Sequence, residues 1–220
     1  MTEYGIAPSG YRLPEATRLG RVTLQVADLD RSLAYYERVL GFRVLRRAAE
    51  VATLGAATGD TPLVELHERA GVAPVSRRGL LGLYHFAILL PDRAALGRFL
   101  RHLAELDVYA GSADHLVSEA LYLTDPDGLG IEVYADRPRE TWGHTGRELA
   151  MASDPLDVDD LVGAAGVERW SGMPAGTVIG HVHLYVGDLD QAAAFYHQGD
   201  RKSTRLNSSH SRASRMPSSA

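Results

Sequence analysis

The chemistry open to this chain is that of imidazoles, carboxylates and phenols, because its 220 residues include no cysteine. Disulfides, thiolate nucleophiles and thiolate metal sites are excluded. Histidine and carboxylate donors suit divalent transition metals, and they also hold and move protons. Several stand on short alternating stretches: His85 in "YHFAILLPDR", Glu132 in "IEVYAD", Glu65 in "LVELHE", and His181 and His183 in "GHVHLYVGDLD". His181 and His183 are two apart and share a strand face. "SADHLVSEALYLTD" adds His115 and Tyr122. Any one of these on a half-buried strand is more often a hydrogen-bonded structural residue than a ligand. "DVDD" at 157–160 lacks the spaced ligands and glycine of a calcium loop and reads as a helix start.

The elements that must position these residues come as a repeat. "GRVTLQVADLDRSLAYYERVLGF" from Gly20 and "GHVHLYVGDLDQAAAFYHQGD" from Gly180 align without a gap. They share Gly, Val, Leu, Val, Asp-Leu-Asp, Ala and Tyr at matching places. "YHFAILLPDRAALGRFLRHL" from Tyr84 is a looser copy. Each alternates as a strand does, then switches to helical spacing. In the first copy Leu29, Leu33, Tyr36 and Leu40 form the apolar stripe, Asp28 can cap the helix and Gly41 can end it. Strand-like runs follow: "FRVLRR", "VATLGA" and "PLVELHE", then "VYAGSADH", "EALYLTD" and "IEVYAD", the last two joined by a hairpin turn in "TDPDGLG". The unit is βαβββ, complete over 20–69 and 83–135, with only βα in the third copy.

Composition limits the function classes. Hydrophobic residues make up 45%, enough for a core. No apolar run reaches membrane-span length, and the N-terminus lacks a signal-peptide pattern, so a soluble cytoplasmic protein without membrane contact is expected. The net charge is −5, yet the last twenty residues carry five cations and no acid. The body therefore has 18 basic against 28 acidic residues, which argues against nucleic acid as a partner.

Repeated βαβββ modules resemble the vicinal oxygen chelate superfamily of glyoxalase I, bleomycin-resistance proteins and extradiol dioxygenases. "GLYHFAILLPDR", "DHLVSEALYLTDPDG", "IEVYADRPRETW" and "IGHVHLYVGDL" resemble, more narrowly, the four-module proteins of catechol-2,3-dioxygenase type. The resemblance spans about residues 18–198. It implies an α+β fold of tandem modules forming a cup-like mixed sheet. It also implies a metal ligand on a module's first strand, seven residues before the helix-opening Asp, and a carboxylate on its last strand. The first positions are Arg21, His85 and His181; the carboxylates are Glu65 and Glu132. His85, Glu132 and His181 would make a two-histidine, one-carboxylate facial set for Fe(II), with Mn, Zn or Ni as alternatives.

Arg21 stays protonated and cannot ligate a cation. If modules one and two share a cleft, Arg21 approaches Glu65 and Glu132 and the site is an ion-pair cluster. If module two pairs with module three, His181 takes that place and the set is complete. The residue chemistry favours the second arrangement; the usual pairing of relatives, one with two and three with four, favours the first. By the same resemblance Tyr122, ten residues before Glu132, would hydrogen-bond a substrate oxygen. His115 would act as acid and base, although the loop around it departs in length from ring-cleaving relatives. His183 is a reserve ligand or a core residue.

The implied function is that of an N-terminal fragment of an extradiol dioxygenase, with a small aromatic diol and O2 as partners and a homo-oligomer as its assembly. The alternatives are a glyoxalase-like metal-dependent lyase or isomerase, and a metal-free module that binds small aromatic ligands. The expected organisation is an extension over 1–19, the two-module domain over 20–135, a linker over 136–178 with a short helix near 157–164, a cut βα start over 179–198, and a tail over 199–220. "RKSTRLNSSHSRASRMPSSA" resembles translated sequencing-adapter read-through. With few apolar residues it is expected to lack packing. The cut third copy is expected to be loosely held, and the chain as it stands inactive.

Overall fold

A computed structural model describes residues 14, 16–73, 81–146 and 148–196; the tail and most of the N-terminal extension lie outside the described residues. The first module runs β1 (Val22–Val26), α1 (Leu29–Arg38), β2 (Arg43–Arg47), β3 (Val51–Gly55) and β4 (Pro62–Glu68). The second runs β5 (Gly82–Leu89), α2 (Arg93–Glu105), β6 (Gly111–Asp114), β7 (Ser118–Thr124) and β8 (Gly130–Asp136). Then come a 3-10 turn at Arg139–Thr141, the short pair β9 (His144–Thr145) and β10 (Glu148–Leu149), α3 (Val158–Ala164), β11 (Val178–Tyr185) and α4 (Leu189–Ala194).

The helices begin where the repeat places an Asp. Asp28, Asp92 and Asp188 each accept from the backbone N–H three residues on, at 2.7–2.8 Å. Gly41, at φ +80°, ends α1: its N–H reaches Glu37 O at 3.0 Å and Phe42 N–H reaches Tyr36 O at 3.0 Å. The strand expected over "VYAGSADH" begins only at Gly111. Val108 N–H still bonds Leu103 O in the helix end, and Asp107 turns the chain through φ +54°.

Module one forms the sheet β1-β4-β3-β2, and module two lies in the sheet β11-β5-β8-β7-β6. In each module the first strand runs parallel to the last. One continuous core lies behind both sheets, joining Leu33, Tyr36 and Leu66 to Phe86, Phe99 and Leu121. The opposite face of the second sheet carries Ala87, Ala120, Tyr134 and Tyr122.

The strand of the third copy is held more firmly than expected, whereas Leu189 and Phe195 at its helix stay exposed. β11 pairs antiparallel with β5 from Val178–Leu89 to Tyr185–Gly82. Module two therefore shares its sheet with module three rather than with module one. Two irregularities interrupt the pairing: Gly180 is an extra residue on β11 and Tyr84 an extra residue on β5.

The stretch read as a linker is packed. Asp114 and Asp154 exchange backbone hydrogen bonds at 2.9 Å. Leu161 of α3 and Met173 are fully buried, and Met173 N–H bonds Gly41 O at 2.7 Å. At Gly97 a Cβ would lie 2.3 Å from Leu161 O, so only glycine lets α2 and α3 cross this closely.

The TDPDG turn between β7 and β8 docks on module one. Asp127 accepts from Ala27 N–H at 2.9 Å and pairs with Arg31. Asp125 accepts from Tyr36 O–H at 3.2 Å, and its other oxygen accepts from Asp127 and Leu129 N–H at 2.9 and 2.8 Å. Burial, with Asp127 adding to it, raises the Asp125 pKa. Among the described residues no helix is long and apolar enough to cross a membrane.

Candidate metal centre

β8 and β5 are central strands, and each turns one alternate side chain away from the core. Phe86 and Ile88 face the helices, while His85 and Ala87 face the cup. Glu132 stands on β8 between core residues Ile131 and Val133. β11 adds His181 from the strand beside β5. The structure thus brings His85, Glu132 and His181 together.

Their ligand atoms form a triangle. His85 Nε2 lies 2.9 Å from Glu132 Oε2, His181 Nε2 lies 3.1 Å from the same oxygen, and the two nitrogens are 3.3 Å apart. Donors at about 2.1 Å from a metal and at right angles to one another are about 3.0 Å apart, so the triangle matches one face of an octahedral site. His85 and Glu132 are buried, whereas His181 is 43% exposed by side chain. Burial works to raise the Glu132 pKa, but hydrogen bonds from His181 and His85 outweigh it and hold the carboxyl at about 2. A buried carboxylate kept ionised between two imidazoles fits a divalent cation in donor type, spacing and charge.

Beside the triangle, Tyr122 lies directly across from Glu132 on β7. Its hydroxyl is 2.7 Å from His115 Nε2, and His115 Nδ1 is 2.7 Å from Ala152 O. A carbonyl only accepts, so Nδ1 carries the proton and Nε2 accepts from Tyr122 O–H. Burial, then the Glu132 charge, raises the Tyr122 pKa and keeps it a phenol. The predicted proton-handling pair is thus hydrogen-bonded and adjacent to the ligand set. His183 lies across from His85 with ring centres 4.8 Å apart, outside the triangle.

The matching positions of module one hold no such set. Arg21 Nε is 3.2 Å from Glu65 Oε2, and His67 Nε2 is 2.7 Å from Glu65 Oε1. The His67 hydrogen bond is the largest influence on Glu65 and lowers its pKa. A guanidinium occupies the ligand position, so this face is an ion-pair cluster.

The family model described as Glyoxalase/Bleomycin resistance protein/Dioxygenase superfamily matches residues 18–133. The chain belongs to this superfamily. Among curated relatives it is 47% identical, over 184 residues, to the catechol-2,3-dioxygenase of Bacillus subtilis (strain 168). That match covers 83% of this chain and 64% of the relative, so the chain spans less than two thirds of the relative's length. Solved structures similar to it include a glyoxalase/dioxygenase from Nostoc punctiforme, at 19% identity and TM-score 0.47, covering 59% of this chain and 99% of that one. Another is the lactoylglutathione lyase from Agrobacterium tumefaciens, at 21% identity and TM-score 0.44, covering 60% and 100%.

In this member of the superfamily, sequence reasoning missed how His181 is aimed. Gly180 sits at the bulge beside Tyr134, and a Cβ there would fall 2.1 Å from the Tyr134 hydroxyl and 2.8 Å from its ring. The ring centre of Tyr134 is 5.2 Å from that of His181. A glycine inside a strand was the available signal, since it marks a bulge or a close approach. Gly180→Ala is expected to push Tyr134 or β11 aside. It should lower metal affinity about 10- to 100-fold, the usual cost of disturbing a ligand's support. Titration with Zn(II) and a thermal melt check this; unchanged affinity would remove Gly180 from the site.

Proposed function

We propose that the chain carries the metal- and diol-binding apparatus of an extradiol dioxygenase that opens the ring of a catechol-type aromatic diol. The observation that carries the reading is the His85–Glu132–His181 triangle with the Tyr122–His115 pair beside it. The relative's printed name, catechol-2,3-dioxygenase, supports the same substrate class. Held by these three residues, iron(II) would supply a Lewis acid for the two diol oxygens and a path by which the diol's own electrons reach dioxygen.

The protein's own groups handle the proton. A diol hydroxyl placed beside Tyr122 can pass its proton to the Tyr122 oxygen while Tyr122 passes its own to His115 Nε2. The Ala152 carbonyl holds the Nδ1–H of the imidazolium that results. Returning along the same path, the proton becomes available to an oxygen of the opening ring. Tyr122 can relay in both directions because it remains protonated between transfers. Glu132 remains ionised and contributes charge, not protons.

The test is to load the chain with Fe(II) without oxygen, then add catechol and air. The sequence alone predicts an inactive chain; with β11 paired to β5 and the three residues brought together, the expected result becomes one O2 consumed per ring opened, seen as a yellow product. Tyr122→Phe should slow the reaction about 100-fold or more, the usual contribution of a positioned acid or base, with iron content unchanged. Turnover without oxygen would instead point to the lyase or isomerase chemistry of glyoxalase-like relatives.

A further inference from the structure

The bulge on β5 changes which face Tyr84 occupies. Leu83 pairs with Leu184 and packs on the core, while His85 pairs with His183 and faces the cup. Tyr84 falls between them as the extra residue. Regular alternation would send it to the core side with Phe86; the bulge turns it to the cup side instead. Its ring centre lies 5.2 Å from that of His85, 5.0 Å from His183 and 4.6 Å from Tyr185. Tyr84 and Tyr185 are each 44% exposed. A cluster of half-exposed aromatic rings, next to a buried candidate ligand and built on a strand irregularity, marks a surface suited to meeting a further apolar group.

We propose that Tyr84 and Tyr185 form an aromatic wall of the diol pocket that selects a flat, unsaturated ring over a saturated one. The inference rests on the ring-cleavage reading and adds the origin of its selectivity. Aromatic faces and edges attract another aromatic ring in offset or edge-on contact, beyond the apolar area they cover. A puckered saturated ring gains only the area. The wall stands beside the imidazole of His85, so a ring whose two oxygens face the ligand triangle has its flat body within reach of these tyrosines. His183, edge-on to both Tyr84 and His85, backs the wall from the partner strand.

The test uses anaerobic, Zn(II)-loaded chain and calorimetric titration with two probes, catechol and cis-1,2-cyclohexanediol. Wild-type protein is expected to bind catechol at least about tenfold more tightly than the saturated diol. The double variant Tyr84→Leu/Tyr185→Leu should lose about tenfold in catechol affinity and most of the preference, with Zn(II) affinity unchanged. Tyr84→Phe/Tyr185→Phe, which keeps the rings, should stay within about twofold of wild type. Equal catechol binding by wild type and the leucine variant would overturn the wall and leave the ring-cleavage reading standing. A parallel fall in Zn(II) affinity would also overturn it, since the tyrosines would then be supporting His85. No catechol binding by wild-type protein would overturn the ring-cleavage reading, and the wall with it.

Discussion

His85→Ala is expected to abolish stoichiometric binding of iron(II) while leaving the fold in place. The triangle offers three donors, and the substitution leaves two, from β8 and β11 on either side of β5. The loss should exceed the roughly 10- to 100-fold cost of disturbing an outer partner, because a bond to the metal itself is removed. The fold should survive because the imidazole points into the cup, whereas the flanking Phe86 and Ile88 hold the core. Glu132 keeps His181 at 3.1 Å, so its charge is not stranded. Anaerobic calorimetry with Fe(II) and a circular dichroism melt measure the two halves of this expectation. His183→Ala is the matched control and should retain the metal. One equivalent of tightly bound iron in the His85 variant would place the metal elsewhere.

Asp125→Ala should be the most damaging single change in the TDPDG turn. Asp125 is 6% exposed and accepts from Tyr36 O–H and from two backbone N–H groups. Truncation leaves these three donors without their acceptor, each a loss of about 1–3 kcal/mol where water cannot enter. With partial hydration, a destabilisation of about 3 kcal/mol is expected, or roughly 6–12 °C in melting temperature for a chain of this size. Asp125→Asn should cost far less. Its carbonyl oxygen can serve both backbone donors, and its amide can donate to Tyr36. Burial already disfavours the ionised aspartate, so removing the charge is not itself a loss. Equal destabilisation by Ala and Asn would show that the charge matters more than the hydrogen bonds.

The fold was legible because local and tertiary signals agree. The Asp that opens each repeat is a helix cap, and alternating strands with a hydrophobic stripe leave one way to bury both. The candidate ligand triangle was legible through the family resemblance, which marks those positions on a module's first and last strands. Its pairing was legible only in part, because residue chemistry favoured a strand of module three for β5 while the usual pairing of relatives favoured module one. The role of Ala152 was invisible for a related reason. It fixes the His115 tautomer through a backbone carbonyl 37 residues away, and a carbonyl has no residue-type signature. The packing of Met173 and Leu161 was lost in a stretch rich in glycine and proline, where periodicity is too short to read. The bulges at Tyr84 and Gly180 arise from strand pairing and have no periodic signal of their own.

The docked TDPDG turn has a consequence for anyone trimming this protein to a minimal metal-binding scaffold. A piece limited to residues 82–196 would contain all three candidate ligands, Tyr122 and His115. It would also cut Tyr36, Arg31 and the Ala27 amide away from Asp125 and Asp127. Two buried carboxylates would then face water at the bend of the hairpin whose arms carry Tyr122 and Glu132. The half of the molecule with an arginine where a ligand would sit thus acts as the clamp on the half that has the ligands. Amide exchange along β8 should follow the opening of α1, even though α1 contributes no residue to the candidate metal centre.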